Sequence, residues 1–288
     1  MPRMNSGRPA GRGEAGSVAL IVPSSELESF RGPFVGAPLQ GALSVVSAAH
    51  LQPVLLMDDG RDPGPLLHYL CGGHVDAAVV ILLHESEMLF KALGDVPGPV
   101  VYVGRPTLEL DESRFWVDAD HYGGGRLAAR TLLEAGRRRL VTITGPMTYL
   151  PAQQRLNGFR DELVEWGLEP LDVAHGDFHM QSGAMAMANL IHRTPDIDGL
   201  FSGSDLMAAG ALRVLNASGR SVPEDVAVVG FDDTVVAATS APPLTSINQP
   251  LRELGARAAD LALTAMKDGT AEPRQLVLPT TVTWRESV

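Results

Sequence analysis

The sequence predicts an α/β protein of two similar halves, each a parallel sheet covered by helices on both faces. Three observations carry this. Short β-branched runs alternate with longer amphipathic segments, the signature of βαβ units. The runs are apolar throughout rather than alternating, as strands buried on both faces must be. The series also pauses once, after residue 104, and then restarts.

Taken in order, SVALIV (17–22) reads as a buried strand, residues 34–50 as a helix and PVLLM (53–57) as a strand. Leu66 to Cys71 fits a short helix, DAAVVIL (76–82) a strand, Ser86 to Leu93 a helix and PVVYVG (99–104) a strand. PTLELDESRFWVDAD reads as the pause, with the halves joined near Val117–Asp120. Tyr122 to Ala135 then forms a helix ended by Gly136, a residue suited to a left-handed C′ position. RLVTITG (139–145) is a strand, Ala152 to Trp166 a helix, LDVAH (171–175) a strand and Gln181 to His192 a helix. GLFSG (199–203), the helix Asp205 to Ser218 and DVAVVGF (225–231) complete the second half. After Pro250 come a long helix, Leu251 to Met266, and two strands, 275–279 and 281–286. A late helix and strand pair after two finished halves predicts that the chain crosses back between lobes. No solenoid-type repeat is present.

Composition bounds the function. The chain has 288 residues, room for two lobes, and its 45% hydrophobic and 20% charged fractions are those of a folded protein. No apolar run approaches the roughly 18 residues that span a bilayer. No apolar stretch precedes Val18, so no secretory signal is read and a cytoplasmic protein is expected. Cys71 is the sole cysteine, which excludes an intramolecular disulfide and any multi-cysteine metal site. The net charge of −11 argues against strong nucleic-acid binding by this chain alone. Arg3, Arg8 and Arg12 lie in a Gly/Pro-rich tail, residues 1–16, and Arg137, Arg138 and Arg139 read as a solvated face.

Ligands of open parallel sheets bind beyond the carboxyl ends of the strands. Those positions hold Ser24 and Glu26, His84 and Glu85, Arg105, Met147 to Tyr149, Asp177 and Phe178, Ser204 and Asp205, and Asp232 and Asp233. This polar, acidic set with a few rings suits a hydroxyl-rich neutral ligand better than a phosphate. The competing motifs are weak. Gly11 to Gly16 spells GxGxxG but precedes the first strand and opens no helix. Gly123, Gly124 and Gly125 start a helix without a following GK[ST] and read as close packing. In His84-Glu85-Ser86-Glu87-Met88 a methionine replaces the second zincin histidine, and His175 and His179 are separated by loop residues, so no metal and no cofactor is expected. No GxSxG elbow occurs, and nothing selects a catalytic triad, so no enzyme is expected. Trp116 and Trp166 read as core.

Three residues are more informative. Arg155 lies just inside a helix beyond a strand end, where its guanidinium can offer a fork of donors to vicinal hydroxyls or a carboxylate. Asp205 starts a helix and reads equally as its N-cap or as a ligand contact. Asp232 follows Gly230-Phe231 at a strand end, where a carboxylate can accept sugar hydroxyls.

With these residues in place, the sequence resembles the LacI/GalR family of bacterial transcriptional regulators. The resemblance is carried by PAQQRLNGFRDEL, GDFHMQSG, LFSGSDLMAAGALRVL, VPEDVAVVGFDD, PPLTSINQPLRELGARAADL and LVLPTTVTWRES. It extends more weakly over VALIVPSSELESFRGPF and VDADHYGGGRLAARTLLEAGRRRLVTITGP, and so covers nearly all of Ser17 to Ser287.

The resemblance implies a periplasmic-binding-protein-like fold of two Rossmann-like lobes with crossovers near Val117, Asn248 and Leu278. The lobes implied are 17–117 with 249–277, and 118–248 with 278–288. It also implies a small effector between them. Effector contacts map onto Arg155, Asp232 and Gln249, with Ser204, Asp205 and Phe178 nearby and Phe34 facing the same cleft. Two departures stand out. Ser204 replaces the family's usual Asn, so the ligand cannot be carried over from a relative. The helix-turn-helix headpiece and hinge helix are not legible in residues 1–16, which are short and rich in Gly and Pro.

The expected protein is therefore the effector-binding and dimerising core of a LacI-type regulator. It takes a sugar, polyol or nucleobase, and meets operator DNA only through a headpiece outside this sequence. The alternative is a stand-alone sugar-binding receptor of the same fold. Replacing Arg155 by alanine is expected to abolish effector binding and leave the fold intact.

Overall fold

The computed structural model describes residues 16–23, 33–81, 87–106, 113–269 and 271–288. The tail through residue 15 lies outside the described residues, as do Ser24, Glu26, His84 and Glu85.

The first lobe is built from β1 (Ser17–Pro23), α1 (Pro33–Ala48), β2 (Gln52–Asp58), α2 (Gly64–Cys71), β3 (Ala77–Ile81), α3 (Glu87–Ala92), β4 (Val100–Val103) and β5 (Phe115–Ala119). The second follows with α4 (His121–Glu134), β6 (Leu140–Thr144), α5 (Leu150–Glu165), β7 (Asp172–His175), α6 (Met180–Arg193), β8 (Gly199–Ser202), α7 (Asp205–Ala217), β9 (Ala227–Asp232), α8 (Val235–Thr239) and β10 (Thr245–Asn248). The chain then gives α9 (Leu251–Asp268) and β11 (Gln275–Leu278) to the first lobe, and β12 (Thr281–Thr283) to the second.

The first sheet has the order β11-β5-β4-β3-β1-β2 and is parallel throughout; the second, β12-β10-β9-β8-β6-β7, is parallel except for β12. Burial explains the continuous apolar runs. Along β1, Val18, Leu20 and Val22 pack with α1 and α9, while Ala19 and Ile21 pack on the other face with α2 and α3. In the second sheet Val141 and Ile143 face α6 and α7, and Phe201, Val229 and Phe231 face α4 and α5. Each buried Val, Leu, Ile or Phe among them contributes about 1.5–3 kcal/mol of transfer free energy.

Several elements depart from the sequence reading. The DESRFWVDAD stretch, read as a pause, contains β5, which pairs with both β4 and β11. This strand runs to Ala119, inside the Val117–Asp120 stretch where the halves were expected to join. Neither α8 nor β10 was foreseen: one is very short and the other, TSIN, is largely polar. The strand expected over 281–286 is confined to Thr281–Thr283. Trp116 is buried as expected, but Trp166 is 45% exposed, with Arg138 over its ring. Arg137 and Arg138 are not simply solvated: their guanidinium groups bond the carbonyls of Pro223, Glu224 and Leu133.

The topology fixes where a site can lie. The chain passes between lobes from the carboxyl ends of β5, β10 and β11. All three passages leave from the edge at which parallel sheets bind ligands, so the carboxyl edges of both sheets adjoin the crossings.

Candidate functional site

Arg155 and Asp232 come together at the second lobe's carboxyl edge. Arg155 lies in α5, whose close approach to α4 needs glycine on both helices: a Cβ on Gly125 would strike the Arg155 carbonyl, and one on Gly158 the Tyr122 carbonyl. The neighbouring Gly124 leaves room for the Phe231 ring, and the Arg155 guanidinium lies 3.8 Å from that ring's centroid. This contact satisfies the arginine's flat face by cation–π attraction. The glycine triplet is thus spent on packing.

The guanidinium is otherwise almost fully occupied. Nη1 donates to the Gly203 carbonyl at 2.6 Å and lies 3.4 Å from Asp232 Oδ1, and Nε donates to His121 Nδ1 at 3.3 Å. Burial pulls the Arg155 pKa down, against the pull of Asp232. An arginine held this way also ties the structure together, so its removal is expected to cost stability as well as any contact it makes.

Asp232 sits at φ +104°, Asp233 at +55° and Phe178 at +70°. Non-glycine residues adopt this region at a cost of about 1–3 kcal/mol, and only where the surroundings hold them there. All three lie at strand ends on this edge. Asp232 Oδ1 accepts from Gln249 Nε2 at 2.6 Å and faces Arg155, while Oδ2 takes no hydrogen bond among the described residues. Burial raises the Asp232 carboxyl above its ordinary range, the Arg155 guanidinium opposes this, and Asp205 adds to it.

The neighbouring acids do different work. Asp233 is filled by Arg285, Thr283 and Asn248 and ties β9 to β10 and β12. Asp205 is not the N-cap of α7. That role belongs to Ser204, whose hydroxyl accepts from the Met207 N–H at 3.2 Å. Asp205 accepts from the Thr234 N–H, the Thr234 hydroxyl and Ser246, and so pins the turn after Asp232. Gly230 gives it space to do so. Phe178 is half-buried, covers Gly145 and stacks with Tyr149 at a ring separation of 6.2 Å. Phe34 lies in the first turn of α1, in the other lobe. The structure therefore joins Arg155, Asp232 and Gln249 directly and sets Ser204, Asp205 and Phe178 on the same edge.

Sequence reading missed Asp118 and His121. Both are buried where β5 hands over to α4, with His121 Nε2 3.2 Å from Asp118 Oδ1. The signal was present, since both follow an apolar run at a strand end, but the surrounding charges masked the strand. Among the described residues, no group of three or more His, Cys, Asp or Glu is placed to hold a metal, and no helix is long and apolar enough to cross a membrane.

Two mostly parallel sheets joined by three passages, with buried charge at their adjoining edges, define a two-lobed protein of the periplasmic-binding-protein-like class. The family model for the periplasmic binding protein-like domain matches residues 129–288, more than half of the chain. Within that class the chain belongs to the LacI family of transcriptional regulators. It is 42% identical over 274 residues to the HTH-type transcriptional regulator CelR of Thermobifida fusca, covering 94% of this chain and 81% of the relative. It is 36% identical over 180 residues to the ribose operon repressor of Escherichia coli K12, covering 60% of this chain and 54% of that protein. A solved complex of transcriptional regulator CelR with cellobiose superposes with a TM-score of 0.85, covering 94% of this chain and 84% of the other at 42% identity. These relatives are regulators and repressors, not enzymes.

Proposed function

We propose that this chain is the effector-binding and dimerising core of a cytoplasmic LacI-type regulator, and that its effector is a neutral sugar of the cellobiose class. The sugar lies between the lobes at the carboxyl edge of the second sheet. Asp232 Oδ2 accepts a sugar hydroxyl, Gln249 and Arg155 hold that carboxylate in register, and the Phe178–Tyr149 pair offers an apolar wall to a sugar ring. One observation carries this reading. Asp232 is buried, has positive φ and is gripped through one oxygen only, so its other oxygen is a ready acceptor. The cellobiose complex of CelR, similar to this chain over 94% of its length, supports the choice of sugar.

The sugar sets the relative orientation of the lobes. In a homodimer that orientation controls the spacing of two DNA-reading headpieces on an operator. A coupling of about 1–3 kcal/mol suffices for a 5- to 150-fold change in DNA affinity. Titration calorimetry with cellobiose, ribose and a purine base tests the ligand reading. Cellobiose should bind, and Asp232→Asn should weaken it by about tenfold or more, the worth of a hydrogen bond to a charged group. Unchanged cellobiose affinity in Asp232→Asn would overturn the assignment.

A further inference from the structure

We propose that His121, held by Asp118, is the positioning residue for the Arg155 guanidinium, and that this pair sets effector affinity from the first lobe's side of the crossing. The proposal rests on the reading that Arg155 and Asp232 form the sugar site.

Proton bookkeeping fixes the imidazole. Arginine offers only donors, so His121 Nδ1, 3.3 Å from both Arg155 Nε and Nη2, must be an acceptor. The remaining nitrogen, Nε2, then carries the hydrogen and donates to Asp118 Oδ1 at 3.2 Å. A protonated imidazole would turn an N–H toward two guanidinium N–H groups. Burial lowers the His121 pKa, with Asp118 and Asp120 opposing and Arg155 assisting, and so favours the same neutral form. Asp118 is itself fixed: the backbone N–H groups of Ala119 and Arg105 donate to it.

The result is a continuous rail. It starts at the ends of β4 and β5 in the first sheet, at Arg105 and Asp118, and passes through His121 to Arg155. From Arg155 it reaches the Gly203 carbonyl, Asp232 and Gln249. It thus links the passage after β5 to the passage after β10, across the edge where the effector binds. Without His121, the guanidinium loses the acceptor for Nε and one fixed side of its fork. Its remaining ties, to the Gly203 carbonyl, Asp232 and the Phe231 ring, all lie in the second lobe.

The test compares His121→Leu, which removes both bonds, with His121→Gln, whose amide can accept from Arg155 and donate to Asp118. Cellobiose affinity and thermal midpoint are measured on each folded protein. Loss of about tenfold in affinity for His121→Leu, with recovery to within about threefold for His121→Gln, is expected for a lost and restored hydrogen bond to a charged group. A merely structural residue would move the midpoint and leave affinity alone, and that result overturns the proposal. A second reading needs no ligand. Imidazole nitrogen NMR should show His121 protonated at Nε2 only, and the Arg155 Nε–H should exchange slowly in wild type and quickly in His121→Leu. The opposite tautomer, or exchange that ignores the substitution, overturns the proposal even where cellobiose binds no variant. In that case the choice of sugar, and not the rail, is what the missing binding refutes.

Discussion

Helix α5 carries two arginine–carboxylate clusters, and they are built to opposite ends. Toward its carboxyl end, Glu162 is buried beneath Arg126 and Arg130, with its Oε1 taken by Arg130 Nε at 2.8 Å and its Oε2 by Arg126 Nε at 2.7 Å. Burial raises its pKa, but the two guanidinium groups outweigh burial and leave the carboxyl below its ordinary range. Toward the amino end, Arg155 meets Asp232 at 3.4 Å, one carboxylate oxygen is unfilled, and burial wins. The first cluster settles its charges with guanidinium heads that still reach water. The second leaves one carboxyl oxygen without a hydrogen bond among the described residues, at a turn of positive φ. An oxygen left without a partner in this way is what the proposed sugar contact requires.

The largest expected effect separates the clusters by what their removal costs. Arg155→Ala should lose cellobiose binding and also destabilise the protein by about 3–5 kcal/mol, because it strands a buried carboxylate. The double variant Arg155→Met, Asp232→Leu should recover most of that stability, since apolar replacement of a buried pair is often neutral or better. It should still bind no cellobiose. Urea unfolding and calorimetry on the same preparations decide. If the double variant stays as unstable as the single one, the pair is a structural element and its contrast with Glu162 disappears.

Much of this site was legible in the sequence, for a physical reason. Parallel sheets bind at carboxyl ends, so Arg155 and Asp232 could be placed once the strands were located, whereas Gln249 follows the unread strand β10 and came only with the family resemblance. Sequence reading took Asp232 and not Asp233 as the effector contact, but it could not see what occupies the neighbouring acid. Asp232 and Asp233 share one local context, and the choice is made by Arg285, Thr283 and Asn248, which reach Asp233 from β10 and the chain around β12. The N-cap question at Asp205 is similar: partners 29 and 41 residues away, Thr234 and Ser246, claim its oxygens and leave the cap to Ser204. The loss of β5 from the reading had a local cause. Asp118 inside FWVDA breaks the apolar run that identifies a buried strand, and the carboxylate is tolerated only because His121 and two backbone N–H groups satisfy it.

The clusters should also differ in the sign of their pH dependence. A carboxyl whose folded pKa is raised binds its proton more tightly when folded. Its stabilising contribution is present below the ordinary carboxylate value and is lost as pH rises through the folded value. For Asp232 that window runs from 3.8 up to about 7. The stability of ligand-free wild type minus that of Asp232→Asn should therefore fall as pH is raised across it. For Glu162, whose folded pKa lies below the ordinary 4.5, the corresponding difference against Glu162→Gln should fall as pH is lowered. Urea midpoints between pH 4 and 8 give the first slope, and midpoints carried below pH 4 give the second. A rising slope at Asp232 would mean that the Arg155 attraction outweighs burial after all.

The smallest effect belongs to the outer cluster and sets the scale for the rest. Glu162→Gln keeps the volume and part of the hydrogen bonding but removes the charge facing two arginines. Both guanidinium groups remain partly in water, so the loss is screened, and about 1 kcal/mol of stability is expected with cellobiose affinity unchanged. Beside it, the Tyr122 hydroxyl donates to Asp161 at 2.8 Å on the exposed surface of the same helix pair. Tyr122→Phe should leave both the urea midpoint and the affinity where they were, because solvent replaces that bond. A change in cellobiose affinity from Glu162→Gln without a matching change from Tyr122→Phe would show that the outer charges reach the site along α5. The two clusters would then have to be treated as one electrostatic unit rather than as a scaffold and a site.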